Sequence, residues 1–362
     1  MRMKNKHIFI GIVFLFCSTL LCKSQAPTGY DLVWQEEFNE APNSDGSLPL
    51  PGDKWWFETG GNGWGNNELQ YYADRVAGTD TVAKIKGGNL IITAIKRPKP
   101  YYGMNYVSAR MNTTESWKYG YFEARAKVPG GKGTWAAFWM MPKNFTAWPL
   151  DGEIDIMEYV GYRPNVTQTS IHTDLYNHKI GTEKTATKDI QNAETEFHVY
   201  GLEWTEDQII GYVDGVAYFT FKNDHLGDKR TWPFDAPFYL KLNLAIGGDW
   251  GGLQGVAEDI FPSKYEIDYV RVYQKKAVAS IEKEEVENIP FTFNKESKSL
   301  SLHAKNGNIT SFNITDMQGR LCKTKSIEED YTSIDCSDLP RNSVYILTLK
   351  GNKTQENYKF IN

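Results

Sequence analysis

The sequence predicts an all-β protein, a large β-sandwich or jelly roll followed by a small second β-domain. Three observations carry this expectation. From Pro27 to about Gln274 the chain breaks into short segments that alternate apolar and polar residues between Gly, Pro, Asn and Asp, the pattern of half-buried strands. No window sustains the 3.6-residue period of a helix. At residues 275–290 the aromatics stop and Glu282, Glu284, Glu285 and Glu287 crowd together, a change of composition that reads as an acidic linker between two folded parts.

Taken in chain order, Arg2, Lys4 and Lys6 precede an apolar run from Ile8 to Leu21, and the small residues Ser24 and Ala26 follow. Residues 1–26 therefore read as a secretory signal peptide, too short to serve well as a spanning helix. Cys22 offers a lipid-attachment reading, but Leu20 and Leu21 stand before it where such a signal prefers a small residue. Residues 27–274 form the large domain and contain no cysteine, which excludes thiol catalysis and thiolate metal sites there. Cys322 and Cys336, in the tail, are available to pair in an oxidising compartment.

Within the large domain, "NLIITAIKR" (89–97) follows Gly87-Gly88, and "YGYFEARAKV" sets Phe122, Ala124, Ala126 and Val128 against Glu123, Arg125 and Lys127. Asp214-Gly215 lies between two alternating runs in "IIGYVDGVAYFTF", a strong hairpin signal. "PFYLKLNLAIGG" and "YEIDYVRVYQ" supply later strands, and a strand-rich chain of this length closes as a sandwich or jelly roll. Residues 291–362 read as the second, smaller β-domain. A net charge of -5 leaves no basic stripe for nucleic acid, so a neutral ligand fits better. With 11 Trp and 21 Tyr the chain has more aromatics than its core needs, and some are expected to face that ligand.

The chemistry concentrates in "WPLDGEIDIMEYVG" (148–161), where Glu153, Asp155 and Glu158 fall within six residues. Strand alternation puts Glu153 and Asp155 on one face and Ile154 and Ile156 on the other, but it then sends Glu158 into the core. An unpaired buried Glu is costly. A one-residue bulge at about Met157 restores Glu158 to the acid face. An acidic, solvated face is the bland alternative, and the flanking Trp148, Tyr159, Trp135 and Trp139 argue against it. Aromatic rings cover the apolar faces of sugars, and two carboxyl groups are what glycoside hydrolysis requires. Sequence spacing alone leaves the retaining and inverting geometries open.

"GEIDIMEYVG" resembles the signature of glycoside hydrolase family 16, and the fuller "WPLDGEIDIMEYVG" resembles its laminarinase, or endo-1,3-β-glucanase, branch. "LVWQEEFNE", "GWGNNELQYY", "GTWAAFWMMP", "SIHTD", "FHVYGLEWTEDQIIGYVDG", "LNLAIGGDWGG" and "EIDYVRVYQ" follow the order such enzymes show, over about residues 30–274. The resemblance implies a jelly-roll β-sandwich with a concave substrate cleft, a small C-terminal β-sandwich behind it, and retaining hydrolysis of 1,3-β-glucan without a catalytic cofactor, with mixed-linkage and galactan-directed hydrolysis as rivals in the family. A silent β-glucan-binding jelly roll is the rival from another class. The resemblance assigns Glu153 as nucleophile, Glu158 as general acid/base and Asp155 as the residue tuning both, with His172 of "SIHTD" beside them. Trp135, Trp139 and Trp148 are expected to stack on sugar rings, core packing accounting for one of them. Asn67, Glu68 and Arg110 are expected to bind hydroxyls, and Trp64 and Trp250 to line outer subsites. A structural calcium, by the same resemblance, takes Glu37, Gly88 and Asp268. Through "ITDMQGRL" and "IDCSDLPRNSVYILTLKGNKTQENYKFIN" the tail resembles a type IX secretion sorting domain, which implies export by that machinery to the medium or the outer surface. A monomer is expected.

Overall fold

The computed structural model describes residues 28–276, 291–303, 309–327, 331–351 and 355–362. The expected signal peptide and residues 277–290 of the expected linker lie outside them. The chain divides after Lys276 into two compact units.

In the first unit the alternating segments pair into two large sheets. One has seven strands, in the order Lys184–Asp189, Val166–His172, Glu153–Val160, Thr134–Pro142, Phe238–Ile246, Arg110–Thr113 and Trp55–Phe57. The other has ten strands and is built around Gly120–Lys127, which is flanked by His198–Trp204 and Ser263–Lys275. Phe122, Ala124, Ala126, Leu202, Val270 and Val272 from the ten-stranded sheet share one buried cluster with Phe138, Met140, Ile154, Ile156, Leu240 and Leu242 from the seven-stranded sheet. This dry layer makes the two sheets one sandwich.

The expected hairpin forms at Asp214-Gly215, where φ values of 48° and 75° give the two left-handed residues that a type I′ turn needs. Gly87-Gly88 does the same between Lys86 and Asn89, with φ of 62° and 79°. The polar side of Gly120–Lys127 is not wholly solvated: Glu123 is fully buried and accepts a hydrogen bond from the Tyr273 hydroxyl at 3.0 Å. Among the described residues helix is confined to two 3-10 turns, His178–Ile180 and Glu258–Ile260.

The second unit contains a three-stranded sheet and a four-stranded sheet, with Leu300, Leu302, Phe312, Ile314 and Leu347 in its core. Cys322 and Cys336 do not pair here. Cys336 is buried in this core while Cys322 stands exposed on Leu321–Ser326, and both are free thiols.

Candidate active site

The acid strand Glu153–Val160 is bulged where the sequence requires it. Against Thr134–Pro142, Met157 faces Phe138 and Asp155 faces Trp139, so Ile156 is the surplus residue on that side. Against Val166–His172, Asp155 faces Ser170 and Glu158 faces Gln168, leaving Ile156 and Met157 opposite Thr169. The extra residue is thus shared between Ile156 and Met157 rather than being Met157 alone, and both side chains enter the core. The Thr169 hydroxyl donates to the Ile156 carbonyl at 2.8 Å, satisfying an acceptor that the interrupted ladder leaves without its strand partner.

Across the seven-stranded sheet the register lays the outward face out in rows. Gln168, Glu158, Ala137, Asn243 and Arg110 form one row, and Ser170, Asp155, Trp139, Lys241, Asn112 and Trp56 form the next. Glu153 pairs with His172 one step further on. The three acids therefore share one face, and His172 completes it: its Nε2 lies 3.3 Å from Asp155 Oδ2.

Each carboxyl has its own surroundings. Glu153 Oε2 accepts the Trp148 indole N–H at 2.7 Å. Glu158 accepts the Trp135 indole N–H at 3.2 Å and the Ser170 hydroxyl at 3.3 Å. Burial, then the charges of Asp155 and Glu153, push the Glu158 carboxyl well above the usual range, against a smaller opposing pull from His172 and the Trp135 hydrogen bond. Burial, then the charge of the neighbouring Glu153 and a hydrogen bond shared with it, likewise push the Asp155 carboxyl well up.

The loop that presents Trp148 is held by Asp151 of the same motif. Its carboxylate accepts from the Thr146 and Ala147 amides at 2.6 and 2.7 Å and pairs with Lys229. Burial would raise the Asp151 carboxyl, but Lys229 and these donors hold it well below the usual range.

The expected sugar-stacking indoles divide. Trp139 is the packed one, only 9% exposed, with its N–H on Asn243 Oδ1 at 2.7 Å and the Arg110 and Lys241 cations 4.6 and 4.8 Å from its ring. Trp135 stands edge-on to Trp250 at 5.4 Å. The Gly-rich loop wraps it closely, since a Cβ at Gly251 would fall 2.8 Å from Trp135 Cβ. Trp148 has Lys179 4.6 Å over its ring and His178 at 5.1 Å. Trp64 has Arg110 at 5.0 Å and donates its N–H to the Gly60 carbonyl.

Asn67 and Glu68 have partners within the protein. Asn67, at φ 55°, donates to the Asp249 carboxylate at 2.9 Å and ties two loops together. Glu68 is buried, which raises its carboxyl, and it accepts from Gln70 Nε2 at 2.6 Å and Tyr72 Oη at 3.0 Å. Arg110 pairs with Glu58 at 2.8 Å.

The residues suggested for calcium fit it poorly. Glu37 is held by Arg271 through two contacts of 2.7 and 2.9 Å, and Asp268 by Arg125 at 2.7 Å. A cation binding these carboxylates would compete with a guanidinium at each. Sequence reasoning passed over Lys241, Asn243, His178, Lys179 and Asp151. The signal for the first two was present in "FYLKLNLAI", where Lys241 and Asn243 occupy alternate positions of an otherwise apolar strand.

Residues 68–271 match the family described as Glycosyl hydrolases family 16, and residues 294–362 match the Secretion system C-terminal sorting domain. A "Beta-glucanase" of Rhodothermus marinus is 44% identical over 285 residues, spanning 75% of this chain and 96% of that protein. The X-ray structure of the laminarinase from Rhodothermus marinus aligns with a TM-score of 0.63 at 44% identity, over 68% of this chain and 97% of that one. The crystal structure of SCLam, "a non-specific endo-beta-1,3(4)-glucanase", aligns with a TM-score of 0.63 at 45% identity, over 69% and 93%.

Proposed function

Because the chain belongs to glycosyl hydrolases family 16, we propose that it is an exported, endo-acting 1,3-β-glucanase that cleaves glucans such as laminarin with retention of configuration. The observation that supports this best is the division of labour on the acid face. Burial beside neighbouring acids raises Glu158 and favours its protonated form, while Glu153 receives an indole N–H at 2.7 Å and shares a hydrogen bond with Asp155. One carboxyl is thus set up to give a proton and another to carry negative charge, the two roles the reaction needs.

In the first step Glu153 attacks the anomeric carbon while Glu158 delivers its proton to the departing glycosidic oxygen. In the second, Glu158 takes a proton from water, which attacks the same carbon and releases Glu153. Asp155 and Trp148 steady the Glu153 carboxylate between steps. His172, at 3.3 Å from Asp155, orients it. Trp135 and Trp250 are the indoles we assign to sugar contact, while Asn67, Glu68 and Trp139 act through their hydrogen bonds within the protein. No redox or nucleotide cofactor takes part, and the donor set offers no support for calcium at Glu37 and Asp268.

A mixed-linkage preference is the second reading, favoured by the likeness to a non-specific endo-β-1,3(4)-glucanase. Product profiles on laminarin and lichenan separate the two. Domain roles follow: 1–26 signal peptide, 27–274 catalytic, 275–290 linker and 291–362 sorting domain for type IX export, acting as a monomer. Proton NMR of the reducing end in the first minutes of laminarin hydrolysis tests the mechanism. The β anomer is expected, and initial α product would make the enzyme inverting.

A further inference from the structure

Among the described residues Lys241 is the single buried lysine or arginine, at 1% exposure. Alternation along Phe238–Ile246 sends Leu240 and Leu242 to the core and Lys241 to the acid face. Its ammonium donates to Asn112 Oδ1 at 2.5 Å and to Glu58 Oε2 at 3.1 Å. Arg110 shares the same Glu58 oxygen at 2.8 Å. Two cations on one carboxylate leave a net positive charge, which is costly to bury unless something nearby needs it. In the same row, with only the Trp139 indole between, stands Asp155, and Glu153 and Glu158 lie in the adjoining rows.

We propose that Lys241 is a positioning residue for the hydrolysis: buried itself, it forms with the part-buried Arg110 and Glu58 a net-positive cluster that acts across Trp139 to hold the acid face in its working charge state. The inference rests on the reading of Glu153 and Glu158 as the working acids. The charged and titratable groups facing the ammonium are Glu58 beyond Trp55–Phe57, Arg110 on its strand, Tyr239 on the lysine's own strand and Glu153 on the acid strand. His172, His178 and Lys179 lie on the opposite side of the acids, around Trp148. Burial, reinforced by Arg110 and opposed by Glu58, pushes the Lys241 ammonium down to about 7. Its charge is therefore in place on the acid limb of a pH profile and is lost above it. Two strand spacings put it about 10 Å from the acid strand, where one charge at an effective dielectric near 20 moves a neighbour by about one pH unit at most.

The test is a pair of variants with opposite signs, Lys241→Met and Glu58→Gln. Losing the positive charge makes the acid face harder to ionise, so the acid limb of kcat/KM on laminarin moves up by about half a unit to one unit in Lys241→Met. Losing the negative charge does the reverse, and Glu58→Gln moves the limb down. If Lys241→Met fails to fold, Glu58→Gln alone decides. A limb that stays in place or rises in Glu58→Gln overturns the proposal, and so do shifts of the same sign in both variants. Titrating the Glu and Asp side-chain carboxyls by carbon NMR reads the same coupling without turnover. Opposite carboxyl shifts in a protein inert on laminarin would retain the coupling and reject the hydrolase assignment, while unshifted carboxyls in an active enzyme would reject only the coupling.

Discussion

The two faces of the seven-stranded sheet both carry buried residues, and those residues are made of opposite materials. Inward, Phe138, Met140, Ile154, Ile156 and Leu242 are apolar and at most 1% exposed. Outward, Asp155, Glu158, His172, Lys241 and Asn243 are at most 9% exposed. On the inner face removal from water stabilises the fold by about 25 cal/mol per Å² of apolar surface. On the outer face the same removal opposes charge, raising Asp155 and Glu158 and lowering Lys241. One face obtains stability from dryness, and the other gives up stability to obtain reactivity.

The contrast breaks most visibly at the acids themselves. Glu153→Ala and Glu158→Ala are expected to melt at or above the parental temperature yet lose about 10²- to 10⁴-fold in turnover on laminarin. Near-parental turnover in either purified variant would remove its assigned role. Phe138→Ala, one strand away on the inner face, should do the opposite. Urea denaturation is expected to show a loss of about 3–5 kcal/mol, with activity per folded molecule little changed. A Phe138→Ala protein that is stable but inactive would mean that the faces are not independent.

The smallest effect is the most diagnostic. Glu158 has a folded-state pKa above its unfolded one, so below about pH 4 the carboxyl is protonated in both states and nothing is lost. As pH rises beyond the unfolded value, the unfolded chain releases the proton first and folding stability falls until the folded pKa is passed. Glu158→Gln carries no such penalty. Its melting temperature should equal the parental one near pH 4 and exceed it increasingly toward neutral pH. A constant offset across that range would show that burial is not what raises Glu158.

What was legible in the sequence follows from how local the cause is. The bulge could be read because a single strand contained the contradiction, Glu158 on the core side of a strict alternation. The type I′ turn at Asp214-Gly215 could be read because that pair carries its left-handed backbone with it. The cation cluster could not, since Lys241, Glu58 and Arg110 lie on segments far apart in sequence and meet only through the register of the sheet. Nor could the sequence show that the Trp148 indole N–H bonds Glu153 and that Lys179 lies over its ring. Glu37 and Asp268 were matched to a metal by likeness, and Arg271 and Arg125, distant in the chain, hold them instead.

A strand that carries one surplus residue between Asp155 and Glu158 can lose it. Without Met157 the run becomes Glu-Ile-Asp-Ile-Glu, in which plain alternation already sends all three acids to the same side. The partner strands have no surplus at that point and would close over a regular ladder. Two spellings of different length therefore encode the same parity, and a deletion, ordinarily the most damaging change a strand can suffer, is silent here with respect to facing. What it alters is reach: about 3.3 Å less chain separates the outer acids. A lineage can adjust the gap between its two carboxyls through this one codon without passing through an ancestor whose Glu158 points into the core.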